Sequence, residues 1–311
     1  VTPNVLFAAP DRLWARYQAP LTRALEEVGV SARLGPDAGP PEDVDYIVYA
    51  PHPGLQDFTP FTRAKAVLSL WAGVEKIVGN RTLTMPLARM VDAGLTEGMV
   101  EWVTGQVLRH HLGLDHVLSH QSGEWVQNVP PLARWRPVTV LGLGALGAAC
   151  ARALAALNFP VTGWSRTARD IPGIRCLHGE GGLAEALGSG QILVLLLPLT
   201  PETDGLLDAA RLALLPDGAV VLNPGRGPLI DDAALLAALD AGRLGHATLD
   251  VFRTEPLPPS HPFWGHPRVT VSPHVASETR PESAARVIAE NIRRGEAGEP
   301  FLHLVDRANG Y

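Results

Sequence analysis

The sequence predicts an α/β fold built on two parallel, helix-covered, doubly wound sheets. Three observations carry this. Short apolar runs alternate with stretches of helical periodicity over the first third of the chain, and the alternation restarts, more sharply, after Arg136. A length of 311 residues favours two domains at about 100–200 residues each. Gly 31 and Pro 28 supply the turn formers that many strand–helix junctions need and a helical bundle does not.

Val5-Leu6-Phe7-Ala8 reads as a short apolar strand. From Arg12 to Val28 the residues Leu13, Tyr17, Leu21, Leu25 and Val28 share one helical face, and Gly29 ends the helix. Asp45-Tyr46-Ile47-Val48-Tyr49 is the next strand, closed by Pro51-His52-Pro53-Gly54. Ala66–Leu70 is another and runs into the loop Trp71-Ala72-Gly73. A long helix is expected from Thr96 to Gln121, carrying His110, His111, His116 and His120. His116 and His120 have the i,i+4 spacing that can hold zinc. No Glu follows His116 and no third ligand is apparent, so the expectation is a solvated or interfacial helix face and no metal.

Beyond Arg136, strands are expected at Val138–Leu141, Val161–Trp164, Ile192–Leu197, Ala219–Leu222, Ala247–Asp250 and Val269–Val271, with helices between most of them. A last helix, Pro281 to Arg294, is expected to return to the first domain. That domain is then discontinuous, residues 1–97 plus 279–311, and the second comprises 98–278.

Composition narrows the function. Lys+Arg 26 against Asp+Glu 32 gives a net charge of −6, and nothing suggests the basic face that nucleic-acid binding needs. Hydrophobic residues at 46% and charged residues at 19% exclude wholesale disorder. Pro137 to Ser165 carries only Arg152 as a charge and is long enough for a membrane span, but Gly142, Gly144, Gly147, Asn158 and Pro160 suit strand–turn–helix–turn–strand better, so no membrane is expected. Cys150 and Cys176 form no disulfide framework or zinc spacing, and Val1-Thr2-Pro3-Asn4 opens no signal peptide; a cytoplasmic location is the expectation.

Val138-Thr139-Val140-Leu141-Gly142-Leu143-Gly144-Ala145-Leu146-Gly147 is a strand running into G-x-G-x-x-G and then an alanine-rich helix. Gly142 makes the tight turn, Gly144 admits a pyrophosphate to the backbone, and Gly147 lets helix and strand pack closely. The helix N-terminus presents N–H groups and the positive dipole end to phosphates. This is the Rossmann dinucleotide fingerprint in its proper context. The acidic residue that binds a ribose 2′-OH in NAD enzymes is expected about 20 residues on. Here Ser165, 23 residues after Gly142, stands at that position. Arg166 can pair with a 2′-phosphate, and Ser165 and Thr167 can donate hydroxyls to it. NADP(H) is therefore favoured, with NAD(H) possible.

Three further segments follow strands: Asn223-Pro224-Gly225-Arg226-Gly227, Leu249-Asp250-Val251-Phe252-Arg253-Thr254-Glu255-Pro256, and Ser272-Pro273-His274-Val275. They bring an Arg, a carboxylate and an imidazole to strand carboxyl ends, where doubly wound sheets bind ligands. Together with the glycine fingerprint, this set resembles the D-isomer-specific 2-hydroxyacid dehydrogenase family over almost the whole chain. Trp164-Ser165-Arg166-Thr167, Leu197-Pro198 with Thr200-Pro201-Glu202-Thr203, and the terminal Val305-Asp306-Arg307-Ala308-Asn309-Gly310-Tyr311 are similar to its glyoxylate/hydroxypyruvate reductase branch.

The resemblance implies two Rossmann-like domains with the active site in the interdomain cleft, a homodimer, and Arg226, Glu255 and His274 as catalytic residues. The chemistry agrees: His274 can donate a proton, Glu255 can orient the imidazole and favour its charged form, and Arg226 can grip a carboxylate and polarise a carbonyl. By the same resemblance Leu146, Leu197, Pro198, Thr203 and Pro224 border the cofactor and Asp250 holds its carboxamide. Ala72 and Gly73 then offer backbone N–H groups to the substrate carboxylate beside Trp71. Pro224 removes one N–H that could contact cofactor, and Trp71 stands where relatives often carry Gly, which bears on pocket size. The expected activity is NADPH-preferring reduction of small 2-oxo acids, glyoxylate to glycolate and hydroxypyruvate to D-glycerate. The alternatives are a bulkier 2-oxo acid on the same site, or a dinucleotide-sensing, corepressor-like binding protein.

Overall fold

A computed structural model describes residues 2–52, 54–308 and 310; Val1, Pro53, Asn309 and Tyr311, each quoted above as part of a segment, lie outside the described residues. The chain divides into two compact units, one running up to Leu95 and resuming at Glu278, the other Thr96–Ser277.

The first unit holds five parallel strands, β1 (Asn4–Ala8), β2 (Arg33–Gly35), β3 (Tyr46–Tyr49), β4 (Ala66–Ser69) and β5 (Leu87–Ala88), in the order β2-β1-β3-β4-β5. Every residue of β3 and β4 is buried, as the continuous apolar runs require of strands covered on both faces. Helix α1 (Asp11–Glu27) turns Leu13, Tyr17, Leu21, Ala24 and Leu25 inward. They share a core with Ala284, Ala285, Ile288, Ala289 and Ile292 of the C-terminal helix (Pro281–Ala297), whose alanines let the two helices approach closely. The pairing of β3 with β4 reaches the strand ends, where the Leu70 N–H donates to the Tyr49 carbonyl at 2.8 Å.

A long helix, α2 (Ala93–Leu112), leads into the second unit and is followed by α3 (Leu114–Ser119). The single helix expected from Thr96 to Gln121 is thus broken. Gly113 lies between the two pieces with φ +66°, a left-handed conformation that ends a helix cheaply only at glycine. The second sheet has seven parallel strands rather than the six expected: β6 (Val138–Leu141), β7 (Val161–Ser165), β8 (Arg175–His178), β9 (Ile192–Leu195), β10 (Ala219–Asn223), β11 (Leu244–Leu249) and β12 (Val269–Val271). Helices α4 (Ala145–Ala156), α5 (Gly179–Ser189), α6 (Ala209–Leu212) and α7 (Asp232–Asp240) connect them, and the C-terminal helix is α8. The order β12-β11-β10-β9-β6-β7-β8 reverses direction between β6 and β9, the switch point at which such sheets bind dinucleotides.

The strands the sequence reading passes over are β2, β5 and β8. Each closes one edge of its sheet, and β2 and β8 are partly solvated, so none carries a continuous apolar run. Strand β9 stops two residues short of Leu197, and β11 begins three residues before Ala247. Among the described residues no helix is long and apolar enough to cross a membrane, and no group of three or more His, Cys, Asp or Glu could hold a metal ion. The His116 and His120 rings stack 4.0 Å apart, and His120 Nδ1 bonds the His116 carbonyl.

The end of α2 meets β11 and β12 through two half-buried histidines. His110 Nε2 contacts Thr248 Oγ1 at 2.9 Å, His246 Nε2 contacts Thr270 Oγ1 at 2.9 Å, and the two rings lie 5.0 Å apart. Burial, reinforced for His110 by His246 and for both by Arg109, lowers each to about 4. Both rings are therefore neutral in the folded protein over a pH range in which the unfolded chain, with an ordinary value near 6.5, binds protons. The stability they allow is present above pH 6.5 and is lost as pH falls toward 4. Denaturant unfolding across that window will show falling stability, with a shallower fall for His110→Gln; identical slopes in the two proteins would contradict this.

Candidate active site

The site is built on strand carboxyl ends of the second unit. Gly142 follows β6 with φ +104°, and its N–H donates to the Trp164 carbonyl at 2.8 Å. A Cβ on Gly142 would strike the Leu196 carbonyl, and one on Gly147 would strike the Gly142 carbonyl, so neither position accepts a side chain. Gly144 differs: it is exposed, it precedes α4 with no side-chain cap, and a Cβ there would meet nothing within 4 Å. The helix N-terminus thus opens onto space that a diphosphate fits. Leu146 is half-buried against the sheet core.

At the end of β7, Ser165 Oγ donates to the Thr167 carbonyl at 2.8 Å, which curls the turn and leaves Arg166 and Thr167 exposed. Glu202, quoted above in its segment but given no part in the cofactor site, shares this region. The Thr200 hydroxyl hydrogen bond first, and the Arg166 charge further down, hold its carboxyl below the usual range. Leu197 is buried in the sheet core, so any cofactor contact it makes runs through its backbone. Thr203 Oγ1 donates to the Pro198 carbonyl at 2.7 Å and accepts the Thr200 N–H at 2.8 Å, bracing that loop from within.

Asn223, the last residue of β10, is 1% exposed. Its Oδ1 accepts the Gly225 N–H at 3.1 Å and its Nδ2 donates to the Arg226 carbonyl at 2.9 Å. The side chain of Asn223 therefore shapes the loop through Pro224 that presents Arg226. Arg226 is half-buried, and its Nη1 donates to the Gly225 carbonyl at 2.6 Å. Gly227 abuts the Phe252 carbonyl so closely that no Cβ fits, which packs the arginine loop on the loop after β11.

That second loop carries Glu255. Its Oε1 accepts the Phe252 N–H at 2.9 Å, and its Oε2 lies 2.7 Å from His274 Nδ1. The carboxylate is thus held by backbone on one side and holds the imidazole on the other. His274 has φ +55°, a left-handed conformation that costs a non-glycine residue about 1–3 kcal/mol. Asp250 enforces it. Fully buried, Asp250 accepts Ser272 Oγ–H at 2.5 Å and the Val275 N–H at 2.9 Å on Oδ1, and the Ala276 N–H at 2.9 Å on Oδ2. Its carbonyl accepts the His274 N–H at 2.8 Å, and its own N–H donates to the Asn223 carbonyl at 3.0 Å. The carboxyl ends of β10, β11 and β12 are tied into one network that sequence reasoning missed, because its bonds run between segments 22 or more residues apart.

In the first unit, Ser69 Oγ accepts the Trp71 N–H at 3.1 Å and donates to the Trp71 carbonyl at 3.0 Å, and that carbonyl also accepts the Met90 N–H at 3.0 Å. The Trp71 indole is 36% exposed, and Ala72 and Gly73 are half-buried.

The chain is similar to known proteins. The family description "D-isomer specific 2-hydroxyacid dehydrogenase, NAD binding domain" matches residues 106–276. A D-isomer specific 2-hydroxyacid dehydrogenase from Xanthobacter autotrophicus Py2, solved with NADPH and MES, is 40% identical over 100% of both chains, with a TM-score of 0.92. The NADPH-dependent glyoxylate/hydroxypyruvate reductase of Sinorhizobium meliloti, solved with NADP and sulfate, is 35% identical over 100% of both chains, with a TM-score of 0.86. A probable 2-hydroxyacid dehydrogenase from Rhizobium etli CFN 42, solved with NADP, HEPES and L(+)-tartaric acid, is 34% identical over 100% of both chains, also at 0.86.

Replacing Asp250 with Ala strips three donors of their acceptor and releases the strained His274 backbone. The expected loss is about 2–4 kcal/mol of stability in denaturant unfolding, with any surviving folded enzyme slowed at least about tenfold. A variant as stable and as active as wild type would remove Asp250 from this role.

Proposed function

Because the chain belongs to the D-isomer specific 2-hydroxyacid dehydrogenase family, we propose that it reduces small 2-oxo acids with NADPH in preference to NADH, glyoxylate to glycolate and hydroxypyruvate to D-glycerate. The observation that carries this reading is the His274–Glu255 pair, 2.7 Å apart, on a loop network shared with Arg226 and in the same unit as the glycine turn. An intact acid with its orienting carboxylate favours an enzyme over a dinucleotide-sensing binding protein. The substrate and cofactor named for the S. meliloti relative support the finer assignment.

NADPH, when bound, supplies the hydride that C2 of the 2-oxo acid accepts. The N–H groups of the first turn of α4 would hold its diphosphate, and Arg166 with the Thr167 hydroxyl would hold its 2′-phosphate, joined by the Ser165 hydroxyl where that proton turns from the Thr167 carbonyl. Leu146, Leu197, Pro198, Thr203 and Pro224 would border it, and Asp250, besides bracing the His274 loop, would meet the carboxamide. Glu255 fixes Nδ1 of His274, so Nε2 carries the proton that passes to the substrate oxygen as negative charge develops there. The ring left behind is neutral, with its Nδ1–H still on Glu255. Arg226 offers a planar fork to the carboxylate and carbonyl oxygens, and Ala72 and Gly73, beside Trp71, add backbone N–H groups to the carboxylate.

Two free cysteines, with the Cys150 thiol pushed up to about 12 by burial, suit a reducing cytoplasm. A run of exposed apolar side chains, Leu118 at 72%, Trp125 at 91%, Val129 at 85% and Trp135 at 65%, supports a homodimer joined through that segment, which the solution mass tests.

Loss of NADPH absorbance with glyoxylate or hydroxypyruvate tests the assignment. His274→Asn is expected to lower kcat by about 10²–10⁴ with little change in NADPH affinity, and near wild-type turnover would remove His274 from the mechanism. Arg166→Ala is expected to cut kcat/KM for NADPH about tenfold to a hundredfold while NADH use stays nearly constant. Equal losses with both cofactors would place Arg166 outside 2′-phosphate recognition.

A further inference from the structure

We propose that Arg253 is a positioning residue that sets the KM for the 2-oxo acid by pinning the loop that presents Arg226 to the loops on either side of it. The inference rests on the function proposed above and adds to it a residue that acts through another. Arg253 lies in the loop after β11, next to the buried Phe252 and two residues before Glu255. Its Nη2 carries two N–H groups and meets two acceptors. One is the Pro228 carbonyl at 3.3 Å, two residues past Arg226 in the loop after β10. The other is Asp204 Oδ1 at 3.2 Å, in the loop after β9. One guanidinium therefore joins the loops that follow three neighbouring strands, β9, β10 and β11.

The Pro228 carbonyl is a shared anchor. It also accepts the Gly205 N–H at 2.7 Å, from the residue after Asp204. Further along, the Leu207 N–H donates to the Leu229 carbonyl at 2.9 Å, and the Asp231 N–H donates to the Leu207 carbonyl at 3.1 Å. The chain beyond Arg226 is thus laced to the segment after β9, while Asn223 shapes the turn before it. Between the two, Gly227 abuts the Phe252 carbonyl and the Arg253 nitrogen, a contact that no Cβ permits. That close approach puts the Arg253 side chain within reach of Pro228.

The side chains of Arg253 and Asp204 are 47% and 53% exposed, and a half-exposed ion pair adds little to global stability. Its effect is on placement. Misplacing a group by about 1 Å can cost up to about 10² in rate. Without Arg253 the arginine loop keeps its bonds to Gly205 and Asn223, so the fold survives, but the Arg226 fork loses a constraint on the chain that follows it. Thr203 and Thr200 brace the loop after β9 from within, so NADPH binding is spared.

The test measures kcat, the KM for glyoxylate or hydroxypyruvate, the KM for NADPH, and the urea midpoint. In Arg253→Ala the KM for the acid should rise about tenfold, with the KM for NADPH and the midpoint near wild type. Asp204→Ala should raise the KM for the acid in the same direction. The double variant should go no further than Arg253→Ala, because Asp204 acts through Arg253. An unchanged KM for the acid in either single variant overturns the inference, as do equal rises for acid and NADPH or additive losses in the double variant. A clear drop in the midpoint of Arg253→Ala, or its failure to fold, marks a structural role and overturns it too. A wild type that reduces neither acid overturns the proposed function itself.

Discussion

The carboxylate of Asp250 is the point on which the candidate site depends. It sits fully buried at the end of β11 and accepts three hydrogen bonds from the segment that bears His274. Without those acceptors the Ala276 N–H would be buried and unmatched, and the Val275 N–H would lose its partner. Nothing would then offset the left-handed backbone at His274, whose φ is +55°. The Asp250 N–H continues the linkage to Asn223, and Asn223 in turn shapes the turn that presents Arg226. Glu255 is positioned from the same direction, by the Phe252 N–H. Three strands thus contribute one side chain each to the candidate site, and their relative placement is set by polar groups largely sealed from water, where an unpaired donor is costly. A carboxylate that looks like a cofactor contact in the sequence is, in the folded chain, first a brace.

Much of the fold is legible in the sequence for a simple reason. Central parallel strands are buried on both faces, so Tyr46–Tyr49, Ala66–Ser69, Val138–Leu141 and Ile192–Leu195 are almost wholly apolar, with Ser69 and Thr139 the exceptions. Arg33–Gly35 and Arg175–His178 are edge strands, half in water, and their mixed composition resembles loop. The long helix after Ala93 ends early because Gly113 takes up a left-handed turn, a choice that periodicity does not reveal when apolar residues continue on both sides. At the site, the glycine turn and the Arg, Glu and His segments are contiguous and can be read directly. The bond from Asp250 to the His274 loop and the packing of Gly227 under Phe252 join distant segments, and no local pattern announces them.

The adenosine end shows the same division between what is local and what is not. Ser165 replaces the carboxylate that would repel a 2′-phosphate, and the sequence displays this plainly. The fold adds that the Ser165 hydroxyl is already engaged by the Thr167 carbonyl and that Glu202 shares the neighbourhood of Arg166. A phosphate bound by Arg166 would have Glu202 as an anionic neighbour, so both side chains would bear on the balance between NADPH and NADH. Thr203, by contrast, has its hydroxyl committed to Pro198 and Thr200 and fixes the shape of its own loop.

If His274, Glu255 and Arg226 direct hydride addition to one face of a small 2-oxo acid, hydroxypyruvate gives a product of one configuration. The most direct measurement is the configuration of the product formed from hydroxypyruvate and NADPH, resolved on a chiral column. D-glycerate is expected as the sole enantiomer, formed mole for mole with NADPH consumed. L-glycerate, a racemate, or no product alongside tight NADPH binding would contradict it.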